Sequence, residues 1–132
     1  MRFLIEQRFA GSLDAVESAL YSPALLAAMA DLPKLGGATL LDETSEGDRV
    51  ARRVRYKFTA ELNAAVTAVV DPDNLTWVEE SVHDRSTHVT TWRIVPDHYV
   101  DRLTCQGTFT LLEKSPTLTL RHTEAEIKVH FP

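Results

Sequence analysis

The chain has 132 residues, of which 44% are hydrophobic and 25% are charged, and its formal net charge is −5 at pH 7. This length fits a single domain over residues 1–132, and the composition is that of a globular protein rather than a disordered one. The negative charge argues against nucleic acid as the main partner, because binding to phosphates needs a concentrated basic surface.

The sequence also argues against membrane insertion and export. The longest apolar stretch, Ala24–Ala30, is far shorter than the roughly 20 residues of a membrane-spanning helix. Residues 1–8 carry charged side chains and contain no apolar signal-peptide region. The single cysteine, Cys105, cannot form a disulfide within the chain, which is typical of a reducing compartment. We therefore expect a cytoplasmic protein.

The opening segment predicts a strand followed by a short helix. Phe3, Ile5 and Phe9 fall on one side of an alternating pattern, as they do in a strand. Ser12 is typical of a helix N-cap, and the apolar spacing after it predicts a helix that ends at about Tyr21.

A second helix and a hairpin come next. Pro23 suits the first position of a helix, and Pro33 ends the apolar stripe that follows it. Beyond this point the period changes to two, which predicts strands at Ala38–Thr44 and Arg49–Phe58 with a turn around Gly47. Alternate residues of the second strand share one face: Val50, Arg52, Val54, Tyr56 and Phe58.

The middle of the chain predicts a short helix and a second hairpin. Glu61–Val70 has apolar residues at helical spacing, although its valines also suit a strand. Leu75–His83 and His88–Val95 are predicted to pair around a short loop. Setting the ends of that loop opposite one another places three pairs on one surface: Trp77 with Ile94, Glu79 with Trp92, and Ser81 with Thr90.

The last hairpin predicts a bent strand. Its first strand has one apolar face, formed by Leu103, Cys105, Gly107, Phe109 and Leu111. On the returning strand Leu118, Leu120 and His122 are in phase, whereas the apolar residues from Ala125 onward are out of phase by one. This slip predicts a β-bulge between His122 and Ala125, with His122 beside Gly107, where the sheet bends.

The predicted elements are a strand, two short helices and about six antiparallel strands. This order resembles that of the START-like superfamily, also called SRPBCC or helix-grip. The chain resembles most closely a bacterial START-like family of unknown function. The matching segments are Phe9 before the helix that contains Val16, Arg49–Arg53, Thr108–Leu111 and Arg121–Val129. The resemblance implies an α+β fold whose curved antiparallel sheet holds a small apolar or amphipathic molecule. The matching segments are structural, so the resemblance implies no particular reaction.

The chain departs from the family pattern in one respect. Domains of this type usually end in a long amphipathic helix that closes the cavity, and Arg121–Pro132 cannot supply it. A large uncovered apolar face is rare in a monomer. We therefore expect either a truncated sequence, which we favour, or a homodimer or other protein partner that covers the sheet face.

Seven residues are predicted to contact a ligand on the inner face of the sheet: Arg52, Tyr56, Trp77, Glu79, Trp92, Phe109 and His122. Glu79 is the candidate for a catalytic role, because a carboxylate against two tryptophan rings should have a raised pKa. If the register is off by one, Glu80 faces inward instead, and Glu79 at a wet cavity mouth is a further alternative.

Arg52 and His122 each have two interpretations. Arg52 is either an inward cation, paired with Glu79 or with a ligand carboxylate, or a solvated residue at the sheet edge, which we favour. His122 either contacts the ligand at the predicted bulge or is simply hydrogen-bonded, as a lone histidine on a strand more often is.

Other chemistries have weaker support. His83 and His88 flank a loop that has no cysteine or carboxylate set at metal-ligand spacing. Cys105 lies in mid-strand on an apolar face, where cysteine behaves as a small buried hydrophobe rather than a nucleophile. Gly36 and Gly37 lack the rest of any phosphate-binding motif. We therefore expect neither a metal nor a cofactor.

Three functions remain open from the sequence. The first and favoured one is binding of a lipid-like or aromatic metabolite. The second is an enzyme of the cyclase or dehydratase kind, with Glu79 or His122 as its acid or base. The third is a protein-interaction domain that docks through the uncovered sheet face around Phe109.

Overall fold

The structure, a computed structural model, describes residues 1–30, 35–59, 64–68, 71–98 and 101–130. One strand precedes two short helices, and six strands follow them, as the sequence predicts for an α+β START-like fold. The elements are β1 (Arg2–Phe9), α1 (Leu13–Leu20), α2 (Pro23–Ala30), β2 (Leu35–Glu46), β3 (Arg49–Phe58), α3 (Ala64–Thr67), β4 (Thr76–Asp84), β5 (Val89–Pro96), β6 (Leu103–Ser115) and β7 (Leu118–Val129).

The seven strands form one curved antiparallel sheet in the order β1-β7-β6-β5-β4-β3-β2. Strands β2 to β7 pair with their neighbours in sequence, and β7 then pairs with β1. The N-terminal ammonium group of Met1 donates a hydrogen bond of 2.7 Å to the carbonyl oxygen of Ile127. The first and last strands therefore lie side by side, and β1 and β2 are the edges of the sheet.

The predicted helix starts are confirmed. The Ser12 hydroxyl accepts a hydrogen bond of 3.2 Å from the backbone N–H of Ala15, and Pro23 is the first residue of α2. Residues 31–34, which include the predicted stop at Pro33, lie outside the described residues. Of the helix predicted over Glu61–Val70, Ala64–Thr67 is helical, and residues 61–63 and 69–70 also lie outside the described part. None of the described helices is long and apolar enough to cross a membrane.

Strand β3 has the predicted alternation. Val50, Arg52, Val54 and Tyr56 are buried, whereas Arg49, Arg53, Arg55 and Lys57 between and beside them are exposed. Arg52 is only 7% exposed, so the expectation that it is solvated at the sheet edge is wrong. It is the inward cation of the alternative interpretation.

The pairing of β4 with β5 differs from the predicted pairing by two residues. The loop consists of residues 85–88, and His88 has a left-handed backbone with φ of 61° instead of starting the strand. Because the side-chain period of a strand is two, this shift leaves every side chain on its predicted face. The three predicted pairs are wrong, and the observed partners are Pro96 for Trp77, Ile94 for Glu79, Trp92 for Ser81 and Thr90 for His83.

The predicted bulge in β7 is wrong. His122 lies opposite Thr110, and Gly107 lies opposite Ala125, in a register that continues from Leu103 to Glu113. The irregularity lies beside the turn, between Glu113 and Ser115. Ser115 pairs with Leu118, so the turn comes later than we predicted. The pairing of β6 with β7 therefore differs from the predicted one by three residues. An odd shift exchanges the two faces. The inner face of β7 is formed by Thr119, Arg121, Thr123, Ala125 and Ile127.

Candidate functional site

The inner face of the sheet and helices α1 and α2 line an open cavity of about 980 Å³. This volume is at the upper end of the range for small-molecule sites. The rings of Trp77, Trp92 and Phe109 all line it, as the sequence predicts. Helix α2 contributes aliphatic side chains to the lining: Leu25, Leu26 and Met29.

Two aromatic residues extend the apolar wall toward β3. The rings of Tyr56 and Trp77 stack with their centroids 5.8 Å apart and an angle of 26° between their planes. Their strands pair at this position, which holds the two rings side by side. Burial raises the pKa of Tyr56 to about 12, and the charge of Glu79 acts in the same direction. The Tyr56 hydroxyl therefore stays neutral at physiological pH.

Glu79 lies inside the cavity, and Glu80 lies outside it. Burial raises the pKa of the Glu79 carboxyl, while the nearby charges of Arg52 and Arg121 oppose that rise. Within the described part of the chain, no group makes a hydrogen bond with the Glu79 carboxylate. Glu80 instead accepts a hydrogen bond of 2.6 Å from Nε of Arg93 on the outer face. Glu79 therefore faces the cavity, as the sequence predicts, and the alternative in which Glu80 faces inward is wrong.

Arg52 is a buried cation at one end of the cavity. Its Nε lies 3.3 Å from a carboxylate oxygen of Glu43, which sits opposite it on β2. Its Nη1 donates a long hydrogen bond of 3.4 Å to the carbonyl oxygen of Leu20, and its guanidinium lies 5.4 Å from the centre of the Tyr21 ring. Glu43, rather than Glu79, is therefore its ion-pair partner.

Arg121 is a second cation in the cavity, and the sequence interpretation missed it. Its guanidinium lies between the rings of Phe9 and Phe109, at 5.4 and 5.2 Å from their centres. Its Nε donates a hydrogen bond of 2.7 Å to the side-chain oxygen of Gln7. Burial lowers the pKa of Arg121, and the charge of Glu79 opposes this shift. Sequence reasoning placed Leu120 and His122 inward, which put Arg121 on the wrong face.

His122 does not line the cavity. It lies on the outer face of β7, with Nε2 3.5 Å from a carboxylate oxygen of Glu124. The prediction that it contacts a ligand follows from the misplaced bulge and is corrected by the same three-residue shift. The structure brings together the other six predicted site residues: Arg52, Tyr56, Trp77, Glu79, Trp92 and Phe109.

A second group of polar residues lies between helix α1 and the sheet. Glu17 on α1 is 7% exposed, and His83 on β4 is fully buried. One oxygen of Glu17 lies 2.8 Å from Nε2 of His83 and 2.7 Å from Nδ1 of His88. Nδ1 of His83 is 2.7 Å from the Thr90 hydroxyl, which is 2.6 Å from the hydroxyl of Tyr21. Tyr21 and Thr90 also line the cavity.

Helix α1 is held in place by two hydrogen bonds to the last hairpin. The backbone N–H of Leu13 donates to a carboxylate oxygen of Glu113 at 2.9 Å, and the Thr119 hydroxyl donates to the carbonyl oxygen of Gly11 at 2.9 Å. From the sequence, His83 and His88 are candidates only for metal binding. The available signal was the phase of His83, which follows Trp77, Glu79 and Ser81 on the inner face of β4.

The remaining candidates have no special activation. Cys105 lines the cavity, and burial together with the charge of Glu79 raises the pKa of its thiol, which disfavours the thiolate. In the described ranges, no three or more side chains of histidine, cysteine, aspartate or glutamate are placed to hold a metal ion.

No protein-family model and no curated protein matches the chain, but solved structures match nearly all of it. TTHA0849 from Thermus thermophilus matches with a TM-score of 0.69 and 15% identity, over 100% of this chain and 77% of that one. The Zhui aromatase/cyclase from Streptomyces sp. R1128 matches with a TM-score of 0.67 and 13% identity, over 100% and 70%.

Two further structures share the architecture. Norcoclaurine synthase from Thalictrum flavum matches with a TM-score of 0.62 and 15% identity, over 98% of this chain and 69% of that one. A START superfamily protein from Mycobacterium smegmatis matches with a TM-score of 0.52 and 12% identity, over 99% and 79%. Such identities show the fold alone. The chain has the START-like fold, and its resemblance to one bacterial branch stays a prediction.

Proposed function

We propose that this START-like domain binds one small amphipathic molecule, with an aromatic or lipid-like body and an oxygen-bearing polar end. The observation that carries the proposal is the cavity of about 980 Å³, whose lining includes three aromatic rings, two cations and a carboxylate. The rings are those of Trp77, Trp92 and Phe109, and the charged side chains are those of Arg52, Arg121 and Glu79.

The apolar walls supply the affinity. A ligand that buries about 200 Å² of apolar surface against them gains roughly 5 kcal/mol, at about 25 cal/mol per Å². Aromatic walls add area at a small entropic cost, because their side chains have few rotatable bonds. The wall between Tyr56 and Trp77 is already stacked, so it needs no ordering when the ligand enters.

The charged groups supply the orientation. The described residues give Arg121 one hydrogen-bond partner, the neutral side chain of Gln7, and they give the Glu79 carboxyl none. Both groups are therefore available to a ligand. Arg121 suits a ligand carboxylate, phenolate or carbonyl oxygen, and Glu79 suits a ligand hydroxyl. Arg52 is already paired with Glu43 and contributes mainly its charge.

Other proteins of this fold support an aromatic ligand as the first to test. Norcoclaurine synthase from Thalictrum flavum has been solved in complex with dopamine and hydroxybenzaldehyde, and the Streptomyces protein is an aromatase/cyclase. Both are below 25% identity with this chain, so they suggest probes rather than a substrate.

Isothermal titration with 4-hydroxybenzaldehyde and with decanoic acid tests the proposal. Phe109→Ala removes a ring of the wall and should weaken the binding of whichever probe binds by about tenfold, or 1.4 kcal/mol. The matched control is Leu112→Ala on the outer face of the same strand, where the side chain is 45% exposed. Equal affinities for these two variants would place the binding site elsewhere.

Native mass spectrometry of freshly purified protein distinguishes the proposal from docking of a protein on the open sheet face. The proposal predicts monomeric chains that each carry one added small mass. A dimer without added mass would favour an interface between two copies of the chain and would contradict the proposal.

An enzyme of the cyclase or dehydratase kind is a second candidate, and Glu79 favours it. A carboxyl whose pKa is raised by burial inside a cavity is suited to general acid catalysis. Glu79→Gln should abolish turnover of a compound that the wild type converts, while its affinity changes little. Unchanged turnover, with Glu80→Gln as the control, would exclude this role for Glu79.

A further inference from the structure

A continuous line of hydrogen bonds runs from helix α1 to the cavity. It passes from the carboxylate of Glu17 to His83, then to the hydroxyl of Thr90, and ends at the hydroxyl of Tyr21, with every step between 2.6 and 2.8 Å. His83 is 0% exposed and Thr90 is 1% exposed, so solvent does not compete for the bonds of His83 to Glu17 and to Thr90. The Tyr21 ring also stacks on the His83 ring, with centroids 4.5 Å apart.

For a neutral His83, the direction of each bond follows from the chemistry of the groups. A carboxylate accepts and does not donate, so His83 donates its Nε2–H to Glu17. A neutral His83 then has a bare Nδ1, which accepts the hydroxyl proton of Thr90. Since Thr90 has a single hydroxyl proton, its oxygen accepts the proton of Tyr21. Tyr21 therefore presents only lone pairs to the cavity, and its ligand partner there is a donor.

We propose that Tyr21, backed by Thr90, His83 and Glu17, takes a proton from a hydroxyl group of the bound ligand, so that the cavity abstracts protons from phenols or enols. This rests on the proposed function, because the ligand must first occupy the cavity. Tyr21 is the residue that contacts the ligand. The other three are positioning residues that receive and stabilise the proton.

The net result is the transfer of one proton from the ligand hydroxyl to His83. The O–H bond of the ligand breaks and its proton goes to the oxygen of Tyr21, whose own proton passes to the oxygen of Thr90. The Thr90 proton passes to Nδ1 of His83. The ligand becomes an oxyanion, both hydroxyls are restored, and His83 becomes an imidazolium that keeps its Nε2–H on the carboxylate of Glu17. No oxidant or co-reactant is needed, and the reverse sequence returns the proton.

The surroundings favour this direction of transfer. Burial would raise the pKa of Glu17, but the hydrogen bonds that His88 and His83 donate to it lower that pKa below its usual value, so the carboxylate persists. Burial raises the pKa of Tyr21 to about 12, so Tyr21 passes a proton on rather than remaining ionised.

The charged groups that face the line come from three parts of the fold besides α1. Arg52 on β3 lies over the Tyr21 ring and stabilises an oxyanion beside it. Glu79 on β4 also acts on Tyr21, and its charge opposes that of Arg52. His88, in the turn before β5, has its Nδ1 2.7 Å from the same oxygen of Glu17 that His83 contacts, and its backbone is left-handed, which is uncommon for residues other than glycine.

The test uses 4-hydroxybenzaldehyde, whose phenol and phenolate forms have different absorption spectra. The ionised fraction of the bound probe is measured at pH 7 in wild type, Thr90→Val, Thr90→Ser and Thr91→Val. Thr90→Val keeps the side-chain shape but breaks the line, and should lower the ratio of ionised to neutral bound probe by about tenfold, equivalent to one pKa unit. Thr90→Ser should restore it, and Thr91→Val on the outer face should leave it unchanged. Ionisation in Thr90→Val equal to that of the wild type would overturn the proposal.

Nitrogen-15 NMR of the unliganded protein gives an independent reading. At pH 7 His83 should carry its proton on Nε2 with a bare, hydrogen-bonded Nδ1, and Thr90→Val should shift the Nδ1 resonance. A proton on Nδ1, in a neutral or a charged ring, would leave no acceptor and would overturn the proposal. If the probe does not bind the wild type, the proposed function fails for phenols, and the NMR result alone decides whether the line is built as described.

Discussion

The ring of Trp92 lies beside Gly107 of the neighbouring strand β6. Any other residue at position 107 would place its Cβ in the space that the ring occupies. A Cβ there would stand 2.9 Å from Cζ2 of the Trp92 ring and would collide with the carbonyl oxygen of Glu124 on β7. The missing side chain therefore lets three strands approach closely and lets the ring form part of the cavity wall.

Replacing Gly107 with alanine should destabilise the fold. The added Cβ must displace the Trp92 ring or the backbone of β7, and overpacking of this kind costs about 1–3 kcal/mol. Urea unfolding measures the loss. Gly37→Ala is the control, because a Cβ at that position meets nothing within 4 Å, and its effect should stay within about 0.5 kcal/mol. Equal stability of the two variants would contradict the described packing.

Replacing Glu79 with glutamine should stabilise the protein at neutral pH. The folded state holds the Glu79 proton more tightly than the unfolded state, because burial raises its pKa. Ionised Glu79 therefore lowers stability as the pH rises through its folded pKa, and glutamine removes this loss. The difference in free energy of unfolding between Glu79→Gln and the wild type should shrink as the pH falls toward 4.5, which is the ordinary pKa of a glutamate carboxyl.

Glu80→Gln is the matched control for the Glu79 experiment. Glu80 faces outward and pairs with Arg93 and Arg53, so glutamine should lower stability at pH 7 by no more than about 1 kcal/mol. A pH-dependent gain in Glu80→Gln, absent from Glu79→Gln, would mean that the two side chains have exchanged faces.

Replacing Glu17 with glutamine should have the opposite pH dependence. Despite its burial, the pKa of Glu17 is lowered by the hydrogen bonds that His88 and His83 donate to it, so its ionised form stabilises the fold. This stabilisation is fully present above pH 4.5 and is lost as the pH falls through the lower folded pKa.

Urea titrations at several pH values measure this effect. Glu17→Gln should lower the free energy of unfolding by about 2 kcal/mol at pH 7, as expected for lost hydrogen bonds to a charged group. This difference from the wild type should become smaller at acid pH. The exposed Glu6 supplies the control, Glu6→Gln. A loss in Glu17→Gln that is constant across the pH range would show that charge is not the source of its stabilisation.

The neighbours Arg121 and His122 should differ in their effect on ligand binding. Arg121 faces the cavity and His122 faces outward. Arg121→Gln should weaken the binding of decanoic acid by about tenfold, because a charge-assisted hydrogen bond to its carboxylate is lost. His122→Gln should bind as the wild type does. Titration calorimetry compares them, and a larger loss in His122→Gln would restore the alternative register of β7.

The inner surface of the sheet was predictable wherever the register was either right or shifted by an even number. The pairing of Trp77 was wrong by two residues, yet Trp77 and Glu79 kept their face because the strand period is two. The turn before β7 was misplaced, and a shift of three residues exchanged the faces of Arg121 and His122. Periodicity alone does not correct a misplaced turn.

The line from Glu17 to Tyr21 was not predictable from local patterns. Glu17 and His83 are 66 residues apart, and their contact depends on how α1 docks on the sheet. That docking rests on Thr119 and Glu113 of the last hairpin, whose register the sequence interpretation had wrong. The position of Arg121 depends on the same hairpin.

The most direct test of the central claim, that the cavity holds an amphipathic ligand, is an NMR titration that follows the indole N–H resonances of Trp77 and Trp92. These two residues are the only tryptophans among the 132 residues, and both line the cavity. We predict that 4-hydroxybenzaldehyde or decanoic acid shifts both resonances in a saturable manner, with one molecule bound per chain. Indole resonances that stay unchanged at saturating concentrations of both probes would contradict the claim.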